Sequence, residues 1–464
     1  MVSPLISAAL GAAAVYYVPV PLRLFIPPVC IICVIFGRGM CRRHFAAAAI
    51  GTLAGLSAIL RIGTFAPGLP VRDIGAVKGT LLEDPRTAGA SRQGMAVLDL
   101  DETGALPAGM VRASARGKIT VFFPALSTER IKESGRGAVV YAEGLFLPPR
   151  DINGIPAFRA KTIHTVHAAP AYERVRTGLR ANLLERLNSK SWGGLSAALL
   201  LGSRENLDGE LSGAYRDAGL SHILALSGMH LAFLSGLLAL LLKKPLGLRA
   251  AIIAGLVFTL AYLAIVGPLP SLVRSAIMYI LGSALVLSGG PKAPLPLLGA
   301  SFLIQLLVFP ESPYSLSFIF SYCALAGILI LGPGAKELLK GRLGDKTASA
   351  LAASIGAFIP ASPIAAAVFG TLRPAGIIAS LVVTPLSTAF MALSLGAFFS
   401  ASFMDIPLSL LEKSIRLCVK TAAAAPGVSL SLFPALGVSL LCSAALVIAS
   451  RNRKRRRSYC APFA

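Results

Sequence analysis

The sequence predicts a polytopic α-helical membrane protein of about ten membrane helices, some broken or re-entrant, that carries one small β domain. Three observations predict it. Of 464 residues, 55% are hydrophobic and 14% charged, with a mean hydropathy of +0.73, so lipid must solvate much of the surface. Apolar runs of roughly 18 or more residues, long enough to cross a hydrocarbon layer of about 30 Å, recur through most of the chain. One long polar stretch, from Arg61 to Trp192, interrupts them with short alternating runs.

The N-terminal region, 1–62, reads as three apolar passes near Leu5–Val20, Leu24–Phe36 and Phe45–Leu60. The first lacks a charged leader and a small-residue cleavage site, and is read as a retained membrane helix. The second is short and holds Pro27 and Pro28, which leaves a shallow hairpin of the first two as the alternative. Arg38, Arg42 and Arg43 predict a cytoplasmic loop before the third pass. One further crossing then places 63–168 outside the cytoplasm. That segment shows five strand patterns, Gly75–Leu82, Met95–Leu100, Lys118–Phe123, Ala138–Phe146 and Phe158–Val166, punctuated by Gly, Pro and Asp. Five short strands suggest a small all-β barrel, with an OB-like fold among the candidates.

Residues 169–217 contain helical periodicity with Arg176, Arg180, Glu185, Arg186 and Lys190 on one face, the pattern of interfacial amphipathic helices. The span 218–450 is a larger bundle, with apolar segments near 223–242, 250–266, 272–288, 295–309, 316–331, 348–369, 377–399 and 432–449. Lys243, Lys244, Arg249, Lys336, Lys340, Arg342 and Lys346 mark its cytoplasmic loops. Glu412, Lys413, Arg416 and Lys420 interrupt Ile406–Ala425. The reading that keeps those charges out of lipid lays this segment on the outer surface, with the Pro360 and Pro363 segment dipping in and returning. The tail, 451–464, is basic and cytoplasmic. It supplies much of the clustering behind the net charge of +23, so a polyanionic partner must be argued from elsewhere. Seven cysteines lie in or beside apolar segments and none in the polar stretch. Cys30 and Cys33 fit membrane packing better than redox chemistry, and no zinc site or other cofactor is indicated.

Two stretches carry polar chemistry into apolar surroundings. In 216–230, Arg216, Ser221, His222, Ser227 and His230 stand at the head of a membrane helix. On one continuous helix His230 would project about 80° and Ser227 about 140° from His222, forming a broad polar side toward a water path, a substrate or a neighbouring helix. Ser227 with His230 lacks a carboxylate to orient the imidazole, which argues against nucleophilic catalysis. Gly228, Ala232 and Gly236 recur every four residues, a helix-packing pattern. In 267–274, Ser271 is placed to cap a new helix with Arg274 in its first turn, where a cation opposes the helix dipole. A carboxylate, a lipid headgroup or a phosphate backbone could each compensate it, and the Pro-rich surroundings suggest broken helices beside a cavity.

The segment "AYRDAGLSHILALSGMHL", 214–231, resembles the signature helix of the ComEC competence-protein family. "LLLGSR" at 199–204, "PSLVRSAIM" at 270–278, "SLSFIFSYCA" at 315–324 and the stretches 357–370 and 375–385 resemble further family motifs in the same order. The resemblance implies an inner-membrane channel importing single-stranded DNA during natural transformation, with the OB-like domain holding the strand near the entrance. It also implies channel residues at Arg216, Ser221, His222, Ser227, Gly228, His230, Ser271 and Arg274. Single-stranded DNA and the lipid bilayer are the implied partners, with a separate nuclease, a DNA receptor and a cytoplasmic translocation ATPase. No His-x-His-x-Asp-His run follows the basic tail, so the chain is not expected to be an enzyme. Phe122, Phe123, Tyr141, Phe146 and Phe158 could either fill the barrel or stack bases. A small-solute transporter or a non-conducting scaffold of the same architecture stays open.

Overall fold

In a computed structural model the structure describes residues 4–17, 40–62, 65–88, 93–105, 112–147, 156–291, 293–397 and 401–460. The pass expected at Leu24–Phe36 and the Cys30 and Cys33 pair lie outside these residues. The chain forms two compact units, 59–185 and a second built from 1–58 with 186–464.

The first unit is a sheet that closes on itself. Its strands are β1 (Ile74–Leu81), β2 (Arg86–Ala88), β3 (Gln93–Ala105), β4 (Arg112–Ser114), β5 (Lys118–Phe123), β6 (Val139–Phe146) and β7 (Ala157–His167). All five expected strands are present, and β2 and β4 are short additions on β3. β1 pairs antiparallel with both β3 and β6, β6 with β7, and β3 with β5, while β5 and β7 run parallel. The ring β1-β3-β5-β7-β6 therefore has no free edge among its long strands, which removes the usual liability of an exposed ladder. Alternating residues point inward, and Ile74, Leu98, Ile119, Val121, Val140 and Phe158 make the core. The unit is not all-β: α3 (Ala125–Ser134) follows β5 and buries Ile131 in the same core.

Helix α4 (Ala171–Asn188) departs from expectation in what its charges do. Arg176 lies 9% exposed, bonding to Asp84 and to Glu173, and Glu173, 1% exposed, also takes the Arg136 guanidinium. Of the expected charged face, Arg176 is spent on the sheet unit, because four paired groups can satisfy one another where an isolated one cannot, while Glu185 and Arg186 are exposed. Asp84 is pushed up by burial, but hydrogen bonds and charge from Arg176 outweigh this and hold its carboxyl below the usual range.

The second unit is helical: α1 (Pro4–Tyr17), α2 (Met40–Leu60), α5 (Gly193–Leu201), α6 (Gly209–Asp217), α7 (Ser221–Leu224), α8 (Gly228–Val266), α9 (Pro270–Leu287), α10 (Pro294–Val308), α11 (Leu316–Ile330), α12 (Gly332–Leu339), α13 (Asp345–Phe369), α14 (Ala375–Ala397), α15 (Ala401–Ala423) and α16 (Leu432–Cys460). Among the described residues, six helices are long and apolar enough to cross a membrane, or seven if the bent pair α11 and α12 is one span. That is fewer than expected; α1 and α10 are apolar but only 14 and 15 residues long. One of the six is folded double. The Ser235 and Thr259 hydroxyls of α8 meet at 2.9 Å, although 24 residues of straight helix would hold them about 36 Å apart. The reversal falls at Pro245 and at Gly247, whose φ of 80° suits glycine, so the arms correspond to the expected passes 223–242 and 250–266, the first starting at Gly228 instead of Ile223.

Helix α13 corrects the expectation of a segment that dips in and returns. It runs as one 25-residue helix through Pro360 and Pro363. Pro363 cannot donate to the Ile359 carbonyl, and the hydroxyls of Ser362 and of Ser439 on α16 each donate to it at 2.8 Å instead. Pro360 likewise frees the Gly356 carbonyl, which lies against Gly327 of α11: a Cβ on Gly327 would fall 2.1 Å from that oxygen. Proline-released carbonyls thus become contacts between helices. Helix α15 is not among the candidate spans. Its charges pair with α6: Arg416 with Asp208 and with its own Glu412, Lys420 with Glu210 at 2.8 Å.

Candidate functional site

The two motif stretches meet. The chain from 221 to 230 is not one helix: α7 ends at Leu224, Ala225 and Ser227 are extended, and α8 begins at Gly228. The predicted angular relation of His222, Ser227 and His230 therefore fails, since it assumed unbroken helical rotation. His222 and Ser221 are exposed on α7, while His230 is buried and its Nδ1 accepts from the Ser227 N–H at 3.5 Å. His230 thus helps cap α8.

The turn that joins α7 to α8 is gripped by the first turns of α9. Ser271 donates its hydroxyl to the Leu226 carbonyl at 3.0 Å, and Ser275 donates to the Gly228 carbonyl at 2.9 Å. Between them Arg274, 9% exposed, sends Nη1 to the Ser321 carbonyl of α11 at 2.8 Å and lies 5.9 Å from the centre of the Tyr322 ring. Gly228 is required by this contact. A Cβ there would fall 2.6 Å from Arg274 Nη2 and 2.9 Å from Ser275 Cβ. Its expected companions do not share the role, because Ala232 and Gly236 are exposed and a Cβ on Gly236 would meet nothing. A four-residue repeat advances about 40° per step and has turned away from the buried His230, Leu231, Leu234 and Ser235 face.

Tyr322 extends the network. Its hydroxyl donates to Gln305 Oε1 of α10 at 2.9 Å, and Gln305 Nε2 donates to the Pro270 carbonyl at 2.9 Å, tying three helices around one buried amide. Ser275, Gln305 and Tyr322 were not singled out from sequence. Ser275 stands one turn beyond Ser271, and Gln305 is an amide inside an apolar run, so both carried a legible signal.

A second group stands at the signature's other end. Arg216 is exposed, and Asp217 takes Arg373 at 3.6 Å from the loop before α14. Arg373 also donates to the Ala425 carbonyl at 3.4 Å, and it fills the space a side chain on Gly219, φ 73°, would need. This loop is pinned by a two-residue pairing of β8 (Thr371–Leu372) with β9 (Val428–Ser429). Arg373 gave no local signal, since Asp217 is far away in sequence.

In the sheet unit, a single lateral row crosses the barrel: Glu102 on β3, Lys78 on β1, Tyr141 on β6 and His164 on β7, each opposite the next. Lys78 pairs with Glu102 at 3.3 Å, and the Tyr141 and His164 rings lie 5.2 Å apart. With Arg112 they line a concavity of about 260 Å³. Burial and the Glu143 carboxylate, which accepts from the Tyr141 hydroxyl at 3.2 Å, push that phenol up. Of the five aromatics weighed from sequence, Phe123 and Phe158 fill the core and Phe146 packs edgewise on Phe158. Tyr141 is the one in the row. Among the described residues no three His, Cys, Asp or Glu side chains gather as a metal site.

Comparison with known proteins places these motifs. A curated relative, an uncharacterized protein of Aquifex aeolicus (strain VF5), is 30% identical over 248 residues, 52% of this chain and 57% of that one. ComE operon protein 3 of Bacillus subtilis (strain 168) is 30% identical over 167 residues, 35% of this chain and 21% of that protein. The matches therefore span about half of the first relative and a fifth of the second. No solved structure matches. The family model described as competence protein matches residues 199–455, a stretch that holds both joined motifs and the Arg373 loop. It covers more than half of the chain, which is a membrane protein belonging to the competence protein family.

Proposed function

We propose that this chain forms the membrane path by which single-stranded DNA is imported during DNA uptake. The observation that carries the reading is the joint between segments 226–230 and 270–275. There the polar groups of two competence-family motifs are gathered inside an apolar helical bundle, where polar residues are costly without a functional or structural return. The competence protein family is the ground for DNA as the cargo.

The sheet unit fits the same role. Reading the unit as an OB-like barrel is supported by its five long strands, the first paired with the second and the fourth, and by the parallel pair between the third and the fifth. Such barrels take single strands on stacked rings and cations, and the row of Lys78, Tyr141 and His164 offers both. In this reading the unit faces outward, the basic segment after Ser450 lies in the cytoplasm, and the chain conducts without hydrolysing. A separate nuclease, receptor and cytoplasmic ATPase would complete the machine.

The test is labelled-DNA uptake in cells carrying the wild-type chain, a deletion, or His230→Ala and Arg274→Ala at matched membrane levels. Loss of uptake with surface binding retained is the expected result. Unchanged uptake in the deletion would reject the reading.

A further inference from the structure

The sequence leaves Arg274 three kinds of compensating partner: a carboxylate, a lipid headgroup or a nucleic-acid backbone. The fold removes the first. Every Asp and Glu outside the sheet unit lies in a described segment, and no ion pair among the described residues includes Arg274. Its listening neighbours are neutral: the Ser321 carbonyl takes Nη1, and the Tyr322 ring offers one face. Two helices, α8 and α9, begin beside it, and their first turns add positive partial charge instead of offsetting it. A cation nine-tenths buried under these conditions calls for an anion.

The free atoms say which kind. Arg274 Nε is buried without a hydrogen-bond partner, and Nη2, which has none among the described residues, lies beside Gly228 at the start of α8. Nε and Nη2 form the side edge of the guanidinium, the fork that matches two oxygens of one tetrahedral anion. The Ser227 hydroxyl, in the capping box of the same helix, is also buried and its proton has no acceptor, whereas the Ser271 and Ser275 protons are taken by carbonyls. We infer that Arg274, Ser227 and the first turn of α8 form a binding site for a phosphodiester monoanion within the membrane bundle. The anion site rests on the geometry. Only a nucleic-acid strand as the source of the phosphodiester rests on the function proposed above, with a phospholipid headgroup as the other source of the same chemistry.

The full chain, purified into maltoside micelles, which carry no phosphodiester, is tested with two probes. One is a fluorescent dodecathymidylate beside its uncharged methylphosphonate analogue; the other is phosphatidylglycerol, followed by native mass spectrometry. Arg274→Gln should weaken one probe at least about tenfold, with Arg274→Lys intermediate. Loss confined to the charged oligonucleotide supports the site and the strand. Loss confined to phosphatidylglycerol supports the site, names lipid as its source and withdraws this residue from the DNA path. A folded Arg274→Gln chain that binds both probes as wild type does overturns the site. Should that variant not fold, hydrogen exchange in the wild type decides. Slowing at Gly228–His230 by either probe supports the site, and no slowing by either overturns it.

Discussion

The buried ion network of the sheet unit invites a quantitative test through Glu173→Gln. Glu173, 1% exposed, accepts from Arg136 Nε at 2.8 Å and pairs with Arg176, which also holds Asp84 at 2.8 Å. The substitution keeps the volume and removes one negative charge, leaving Arg176 with Asp84 and the Arg136 guanidinium facing a neutral amide. Breaking a buried pair in this way costs about 3–5 kcal/mol, and a Coulomb interaction at roughly 4 Å with an effective dielectric of about 20 gives a similar figure of about 4 kcal/mol. Hydrogen exchange on the full chain reads it directly. Amides of Ile74–Leu81 and Val139–Phe146, which pair with each other, should exchange faster by more than about a hundredfold, while α13 and α14 stay unchanged. A change below about fivefold would mean that the network is worth no more than an exposed surface pair, and would refute the argument.

Three further outcomes follow from the geometry. Asp84 is held below the usual carboxylate range, so its contribution is present above the unfolded value of about 3.9 and is lost as pH falls through the lower folded value. Asp84→Asn should therefore flatten the acid limb of sheet-unit stability, followed by the same exchange experiment between pH 6 and pH 3. Gly228→Val forces a side chain onto Arg274 and Ser275 and should destabilise the helical unit by about 1–3 kcal/mol, whereas Gly236→Ala meets nothing and should be neutral or stabilising; thermal unfolding in detergent separates them. Ser439→Ala removes one of two hydroxyls on the Ile359 carbonyl, at a cost of about 0.5–1.5 kcal/mol. Pro363→Ala restores the backbone donor, so the two substitutions should be non-additive in a double-mutant cycle, and strict additivity would count against the proposed compensation.

What was legible in the sequence was whatever local pattern dictates. Alternation found all five long strands of the barrel, because inward residues such as Val140 and Phe158 must recur with period two. Apolar length found the passes of the bundle, including the two arms of α8, whose basic Lys243, Lys244 and Arg249 mark the bend. What failed depended on partners distant along the chain. Arg176 reads as a solvent-facing charge until Asp84 and Glu173 are brought to it. Pro360 and Pro363 read as a break until Ser439 and Gly327 take up the carbonyls they release. The polar side assigned to His222, Ser227 and His230 required a helix through Ala225, where the backbone is extended.

Hydrogen-bond accounting then sorts the motif residues more sharply than their chemical type does. A group committed to a carbonyl at 3 Å is not free to bind a passing ligand without being replaced at that carbonyl. By that test Ser271 and Ser275 are joints, and His230 is a cap whose Nδ1 is already in use. Gln305 and Tyr322 answer each other across α10 and α11. What remains uncommitted at the joint is the Arg274 fork and the proton of the Ser227 hydroxyl. Substituting a joint residue should therefore loosen the bundle and lower its thermal midpoint together with uptake. Ser227→Ala should lower uptake while costing the fold no more than a helix cap, about 1 kcal/mol. Uptake that falls no further for Ser227→Ala than for Ser271→Ala at an equal loss of midpoint would show that both serve the fold alone.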